Sequence, residues 1–131
     1  MSFSSDYYQR IIEWMQLRNS LEWSKTPFDT LTDFYQAIPK ITLNADPYDS
    51  TTWPGPWELI EENQYCDFTK VLGMCYSLQL TNRFKNSKIR MYTGTDSYEE
   101  DILYWLSVDG HPVSLCGYSL IPREELDFTK K

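Results

Sequence analysis

Histidine, glycine and cysteine are scarce in this sequence. Its 131 residues include one histidine, His111, and five glycines. So few scattered glycines do not form the glycine-rich loop that cradles a phosphate or a dinucleotide. The three cysteines, Cys66, Cys75 and Cys116, are an odd number without metal-ligand spacing. We therefore expect free thiols in a reducing compartment, with neither a disulfide, a metal nor another cofactor.

Long apolar runs and excess basic charge are also missing. No stretch approaches the ~18 apolar residues of a membrane span, and residues 1–6 lack the basic and apolar regions of a signal peptide. Nineteen acidic and twelve basic side chains give a net charge of −7. A field of that sign repels phosphate backbones and anionic lipids. We expect a soluble, acidic protein that stays in the cytoplasm and binds neither nucleic acid nor membranes directly.

Aromatic residues are plentiful, at 16% of the chain, which is enough to build one core. The length fits a single domain over 1–131. Its expected parts are a helical lead (1–39), a loop rich in proline and tryptophan (40–56), a core of one helix and a sheet (57–121), and a tail (122–131). Residues 46–57 of the loop include Tyr48, Trp53 and Trp57, and prolines rule out a regular element there.

Four helices are predicted from apolar spacing and capping residues. Asp6 caps a first helix that ends at Asn19-Ser20 and buries Tyr8, Ile11, Ile12 and Met15, while Gln9, Arg10, Glu13 and Gln16 face solvent. Pro27 opens a second helix, which Pro39 terminates. A short third helix starts at Pro56 and breaks at Asn63-Gln64. A long central helix runs from Cys66 to about Phe84, with apolar residues over more than half its circumference.

Beyond the central helix the apolar period changes from 3.6 to 2, which is typical of strands. Residues 89–92 and 102–108 alternate, and Asp109-Gly110 is a strong hairpin signal. Lys85, Lys88 and Arg90 suggest a sheet edge whose charges prevent pairing with another chain, a guarded edge. Pro122 to Glu125 suggest a last turn. The predicted fold class is α+β, with N-terminal helices and a central helix packed on an antiparallel sheet of three or four strands.

The layout of residues 57–116 resembles the core of the transglutaminase-like, papain-like superfamily. That family uses a cysteine at a helix N-terminus, a histidine opening the second strand and an acid or amide on the third. The resemblance places Cys66 at the nucleophile. It puts Asp101, or a neighbour, at the histidine position and about Cys116 at the acid position, and neither residue can serve there. His111 follows the hairpin turn and should lie at the opposite end of the sheet, so a degenerate core without its base is expected.

The runs Thr52-Trp53-Pro54-Gly55-Pro56-Trp57-Glu58-Leu59-Ile60, Asn63-Gln64-Tyr65-Cys66 and Tyr76-Ser77-Leu78-Gln79-Leu80-Thr81 resemble small uncharacterised proteins of T4-like marine bacteriophages. That resemblance covers residues 46–84 and implies synthesis in a bacterial host and a place in the virion. It carries no activity with it.

The expected function is therefore a non-enzymatic protein–protein interaction module, a structural or assembly protein with other virion proteins as partners. Prolines hold the loop's indoles in fixed places, which suits either a core plug or an interface anchor. The residues expected to contact a partner are Tyr48, Trp53 and Trp57, then Tyr92 and Trp105 on the outer sheet face. The alternatives are a cysteine acyl-transfer or amidase-like enzyme that uses Cys66, and a phage inhibitor of a host protein.

Overall fold

A computed structural model describes residues 4–41, 46–96, 102–115 and 120–126. In chain order the elements are α1 (Tyr7–Trp23), α2 (Pro27–Gln36), a 3-10 turn (Ser50–Thr52), α3 (Pro56–Glu62), α4 (Asp67–Gln79), β1 (Ile89–Asp96), β2 (Ile102–Val108), β3 (His111–Val113) and β4 (Leu120–Leu126). Four antiparallel strands lie in the order β3-β2-β1-β4 within the described residues. The predicted α+β class is confirmed.

The core lies between the helices and one face of the sheet, with α4 at its centre. Every residue of α4 from Phe68 to Leu78 is buried. The helix ends at Gln79, five residues before the predicted end at Phe84. Thr81 explains the early stop, because its hydroxyl donates to the Leu78 carbonyl at 2.7 Å and accepts from the Phe84 amide at 3.0 Å. Such side-chain bonds compete with a continued helix.

Close packing of α2 on α4 depends on Gly73. A Cβ at this position would lie 2.7 Å from the Tyr35 ring. Tyr35 is fully buried there and shares a hydrogen bond with Ser77. Glycine in the middle of a helix therefore has a packing role, which offsets its unfavourable helix propensity.

The predicted buried face of α1 is wrong. Trp14, Leu17 and Leu21 are buried together with Arg10, whereas Tyr8, Ile12 and Met15 are exposed and Ile11 is half-buried. The buried residues recur at a helical period, so they form one stripe that faces the core. The helix also continues past Ser20 to Trp23, and the Ser20 hydroxyl donates to the Gln16 carbonyl at 2.9 Å.

Arg10 is buried because its guanidinium finds carbonyl partners on another helix. Nε donates to the Ile60 carbonyl and Nη2 to the Glu61 carbonyl, each at 2.9 Å. These carbonyls belong to the last turn of α3, where the helix dipole favours a cation. Nη1 donates to the carbonyls of Ser4 and Ser5. Arg10 thus fastens α1 to the end of α3 and to the chain that precedes α1.

The predicted last turn at Pro122 is also wrong, since Pro122 lies within β4. This strand pairs with β1 from Asp96↔Leu120 to Met91↔Leu126, with a bulge between Thr93 and Gly94. The guarded edge expected at Lys85, Lys88 and Arg90 is wrong as well, because β1 lies inside the sheet. At the β4 edge, Pro122 lacks an N–H, and exposed Arg123, Glu124 and Glu125 carry charge. These features discourage further strand pairing.

Candidate functional site

Cys66 occupies the position expected of a nucleophile, directly before α4. It is the N-cap residue and is half-buried. Its amide donates to Thr69 Oγ1 at 2.8 Å, and its sulfur lies 3.5 Å from the same oxygen. Asp67 follows as the first helical residue and pairs with Lys40 at 3.3 Å. Among the described residues, the polar side chain in contact with the thiol is the Thr69 hydroxyl, and no base is hydrogen-bonded to the sulfur.

His111 lies far from this thiol. It is exposed at the start of β3, pairs with Val108, and stacks on the Phe28 ring of α2 with centroids 5.1 Å apart. Cys66, by contrast, lies two residues before Phe68, whose ring packs against Tyr104 of β2 with centroids 5.6 Å apart. The four residue steps from Tyr104 to Val108 along β2 span about 13 Å. A Cys–His hydrogen bond needs about 3 Å. Asp101 and Cys116, the other positions that the family layout singles out, lie outside the described residues.

Trp53 is a core plug, because its side chain is only 5% exposed. Its indole packs on Phe68 with ring centroids 5.2 Å apart, and Nε1 donates to the Asp46 carbonyl at 2.8 Å. The Tyr76 hydroxyl donates to the adjacent Pro54 carbonyl at 2.6 Å. These contacts pin the proline-rich loop to the core. Trp53 offers almost no surface to a partner in this structure.

Trp57 lies four residues further along and remains 51% exposed. Its indole meets Trp14 of α1 edge to face, with centroids 5.1 Å apart. The Arg18 guanidinium lies 4.5 Å from the Trp14 ring and 5.8 Å from the Trp57 ring, both within cation–π range. Burial lowers the pKa of Arg18. Trp57 is therefore fixed against α1 while much of its ring faces solvent.

The other three predicted contact residues lie near the sheet. Tyr48 is exposed and lines a depression of about 440 Å³ between the loop and β4, together with Glu124 and Glu125. Tyr92 and Trp105 are directly paired across β1 and β2, with stacked rings 6.1 Å apart. They line a second depression of about 470 Å³ on the sheet face opposite the core. Trp105 is only 4% exposed, so Tyr92 offers more of its ring.

The structure adds an apolar surface that the sequence interpretation assigned to the core. The outer stripe of α1 consists of Tyr8, Ile12, Met15, Asn19 and Trp23. At 100° per residue these five positions fall within about 80° of arc, roughly opposite the buried stripe. Tyr8 is 74% exposed, Ile12 45%, Met15 54% and Trp23 82%. The apolar period was visible in the sequence, but nothing in it showed which of two stripes would be buried.

The outward surface of α1 is also uncharged. Along Tyr7–Trp23, which the structure describes in full, the exposed positions are Tyr8, Gln9, Ile12, Met15, Gln16, Asn19, Ser20 and Trp23. Its four charged residues are buried or half-buried. Met15 and Arg18 are neighbours on the helix surface at a spacing of three residues, so the outer stripe extends towards Trp57. The result is a neutral, aromatic-rich surface on an acidic protein.

No protein-family model, no curated protein and no solved structure matches this chain. The candidate sites therefore rest on the chemistry of their own residues. Within the described ranges, no cluster of three or more His, Cys, Asp or Glu side chains is placed to bind a metal ion. In the same part of the chain, none of the helices combines the length and apolar character needed to cross a bilayer.

Proposed function

We propose that this protein is a non-enzymatic protein-binding module, which docks through the outer stripe of α1 and the adjoining Trp57. The observation that carries the proposal is the pair of apolar stripes on opposite sides of α1. One stripe is buried in this domain, and the other exposes four large side chains to water. A helix that is apolar on both sides is typical of a position between two packed surfaces.

The size of the outer stripe supports this proposal. Taking about 150–250 Å² for a whole large side chain, the exposed fractions of these four residues correspond to roughly 400–600 Å² of surface. Contiguous apolar patches on monomeric proteins rarely exceed a few hundred Å² unless they are functional. Trp57 adds a rigid aromatic ring, of the residue type most enriched at the centres of binding interfaces.

The surroundings of Cys66 support a non-enzymatic function over the acyl-transfer alternative. Activation of a thiol needs a base within hydrogen-bond reach, and His111 stacks on Phe28 at the far end of the hairpin. The polar side chain in contact with the thiol is Thr69, whose hydroxyl cannot serve as that base. Substitution of Cys66 by Ala should therefore leave partner binding unchanged.

We further propose that the module works in bacteriophage assembly or in the virion. The support is the resemblance of residues 46–84 to small phage proteins. Trp53, Pro54 and Tyr76 of that region hold the loop on the core and thereby place Trp57 against α1. A phage inhibitor of a host protein would be the same kind of module with a host partner.

Photo-crosslinking in the producing bacterial cells tests the proposed function. A photoreactive phenylalanine analogue replaces Met15 on the outer stripe, and a matched variant carries it at Gln64, an exposed position in the turn between α3 and α4. We expect specific protein adducts from position 15 and none from position 64, identified by mass spectrometry. Virion proteins or the protein itself would favour assembly, and one bacterial enzyme would favour inhibition. Equal labelling from both positions would refute docking through α1.

A further inference from the structure

We infer that the partner seated on the outer stripe is a second copy of this chain, packed antiparallel across a two-fold axis. This inference rests on the proposed function and names the occupant of the same surface. Three observations carry it: the spacing of the stripe, its lack of charge, and the area that it can bury.

The stripe is arranged symmetrically along the helix. Tyr8 and Trp23 are equally far from the midpoint between Met15 and Gln16, and so are Ile12 and Asn19. A two-fold axis through that midpoint places Tyr8 against Trp23 of the second copy, Ile12 against Asn19, and Met15 against Gln16. Aromatic rings then meet at both ends of the contact, where aromatic pairs contribute stability beyond that of the buried area. One patch is thereby complementary to itself, as a two-fold interface requires.

Charge favours this surface for contact between copies. Each copy carries a net charge of −7, so most approaches are repulsive. The exposed carboxylates of α3, at Glu58, Glu61 and Glu62, would face each other in an α3 contact. The outer stripe contains no charged residue. The antiparallel arrangement also aligns the two helix dipoles in opposite directions, which is favourable. A strongly basic partner would instead be drawn to the acidic surfaces.

The area is sufficient for a dimer of modest affinity. Two copies that cover their outer stripes would bury roughly 800–1,200 Å² in total, which is the size range of weak and transient interfaces. The neighbouring Trp57 and the neutral Gln16 and Asn19 enlarge the contact. We therefore expect a dimer that dissociates on dilution rather than an obligate one.

Light scattering after size exclusion tests the inference on the full-length protein. At high micromolar concentration the mass should approach twice the 15.6 kDa of the chain. Met15→Glu places a carboxylate beside the axis from each copy and should weaken the dimer roughly a hundredfold. Gln64→Glu adds the same charge away from the stripe and should leave the dimer intact. Both positions are exposed, so circular dichroism should show unchanged folding.

Disulfide trapping tests the orientation of the two helices. In the antiparallel pair, mixing Tyr8→Cys chains with Trp23→Cys chains should give a crosslinked heterodimer under mild oxidation. Tyr8→Cys alone should give none, because the two copies of residue 8 would lie about 22 Å apart along the helices. Crosslinking of Tyr8→Cys with itself, at the level of the mixture, would contradict the antiparallel arrangement.

Three results would overturn the second copy as partner. They are a monomer at every concentration, a dimer that Met15→Glu leaves unchanged, and a monomer that co-sediments with neutral phosphatidylcholine vesicles. Photo-crosslinking separates this failure from failure of the proposed function. Adducts at position 15 to a different protein would support the proposed binding module and contradict the dimer. The absence of any adduct would contradict both proposals.

Discussion

The hydroxyl of Ser77 joins three elements of the core, and its removal should destabilise the fold. Ser77 Oγ donates to the Gly73 carbonyl at 2.7 Å and accepts from Trp14 Nε1 at 2.8 Å. The Tyr35 hydroxyl lies 3.0 Å away. A serine hydroxyl has one donor and two acceptor sites. Because its proton is used on Gly73, Tyr35 must donate to Ser77, and all three sites are filled.

Substitution of Ser77 by Ala removes the acceptor for two buried donors. An unsatisfied buried donor costs about 1–3 kcal/mol, and better helix propensity returns about 0.5 kcal/mol. We expect a net loss of about 1.5–5.5 kcal/mol in the free energy of unfolding, and a decrease in Tm of roughly 6–20 °C for a domain of this size. Urea unfolding followed by tryptophan fluorescence and circular dichroism measures both quantities.

A double-mutant cycle with Tyr35→Phe checks the direction of the hydrogen bond. Burial raises the pKa of Tyr35, so its hydroxyl is protonated and can donate at neutral pH. Tyr35→Phe should cost stability in the native background. In the Ser77→Ala background it should instead be neutral or stabilising, because it removes a buried donor that has already lost its acceptor. A Ser77→Ala variant within 0.5 kcal/mol of the native protein would refute the reasoning.

Two further predictions concern the sheet and alkaline pH. In Gly94→Ala a Cβ would overlap the Ile121 carbonyl and approach the Trp105 ring to 2.7 Å, so β4 should detach or shift. Faster amide exchange in β4 than in β2 would show this, and equal protection would contradict it. Burial raises the pKa of Cys75 to about 12. Its contribution to stability is therefore complete below the unfolded thiol pKa near 9 and declines as pH rises from there towards 12. The unfolding free energy should fall more steeply between pH 8.5 and 10 in the native protein than in Cys75→Ala, and parallel slopes would count against this assignment.

The elements that the sequence predicted well carry their signals locally. Pro27 and Pro56 begin α2 and α3, and Asn63 ends α3 in the left-handed region at φ 52°. Asp109 and Gly110 have φ values of 51° and 86°, as a tight hairpin turn requires. These residues act through their own backbone preferences. Their prediction needs no knowledge of the tertiary structure.

β4 shows why other elements were missed. Its sequence holds Pro122 and three consecutive charged residues, Arg123 to Glu125, which are typical of a turn. The strand exists because β1 offers it hydrogen bonds, and its position at the edge tolerates a proline and exposed charges. The deciding partner is about thirty residues away in the chain, so local propensity could not reveal it.

The candidate contact residues also include some features that the local sequence predicts and others that depend on tertiary partners. Trp53 and Trp57 are equivalent in the sequence, as both lie in one proline-rich run. Trp53 donates a hydrogen bond to the Asp46 carbonyl and packs on the Phe68 ring. Trp57 instead lies beside Trp14 and Arg18 at the surface. An aromatic loop could be identified from composition. Which indole fills the core depends on groups contributed by other elements.

The first helix presents the same problem in its strongest form. A pattern of apolar residues alone favours the Tyr8, Ile12 and Met15 stripe, because the opposite stripe includes Arg10. That arginine can be buried because the carbonyls that end α3 accept hydrogen bonds from its guanidinium. Once Arg10 is buried, Trp14 and Leu17 must follow it, and the remaining apolar residues are left in water. A charged residue that closes one interface thus creates the surface available for a second one, and the proposed dimer places that second interface along α1.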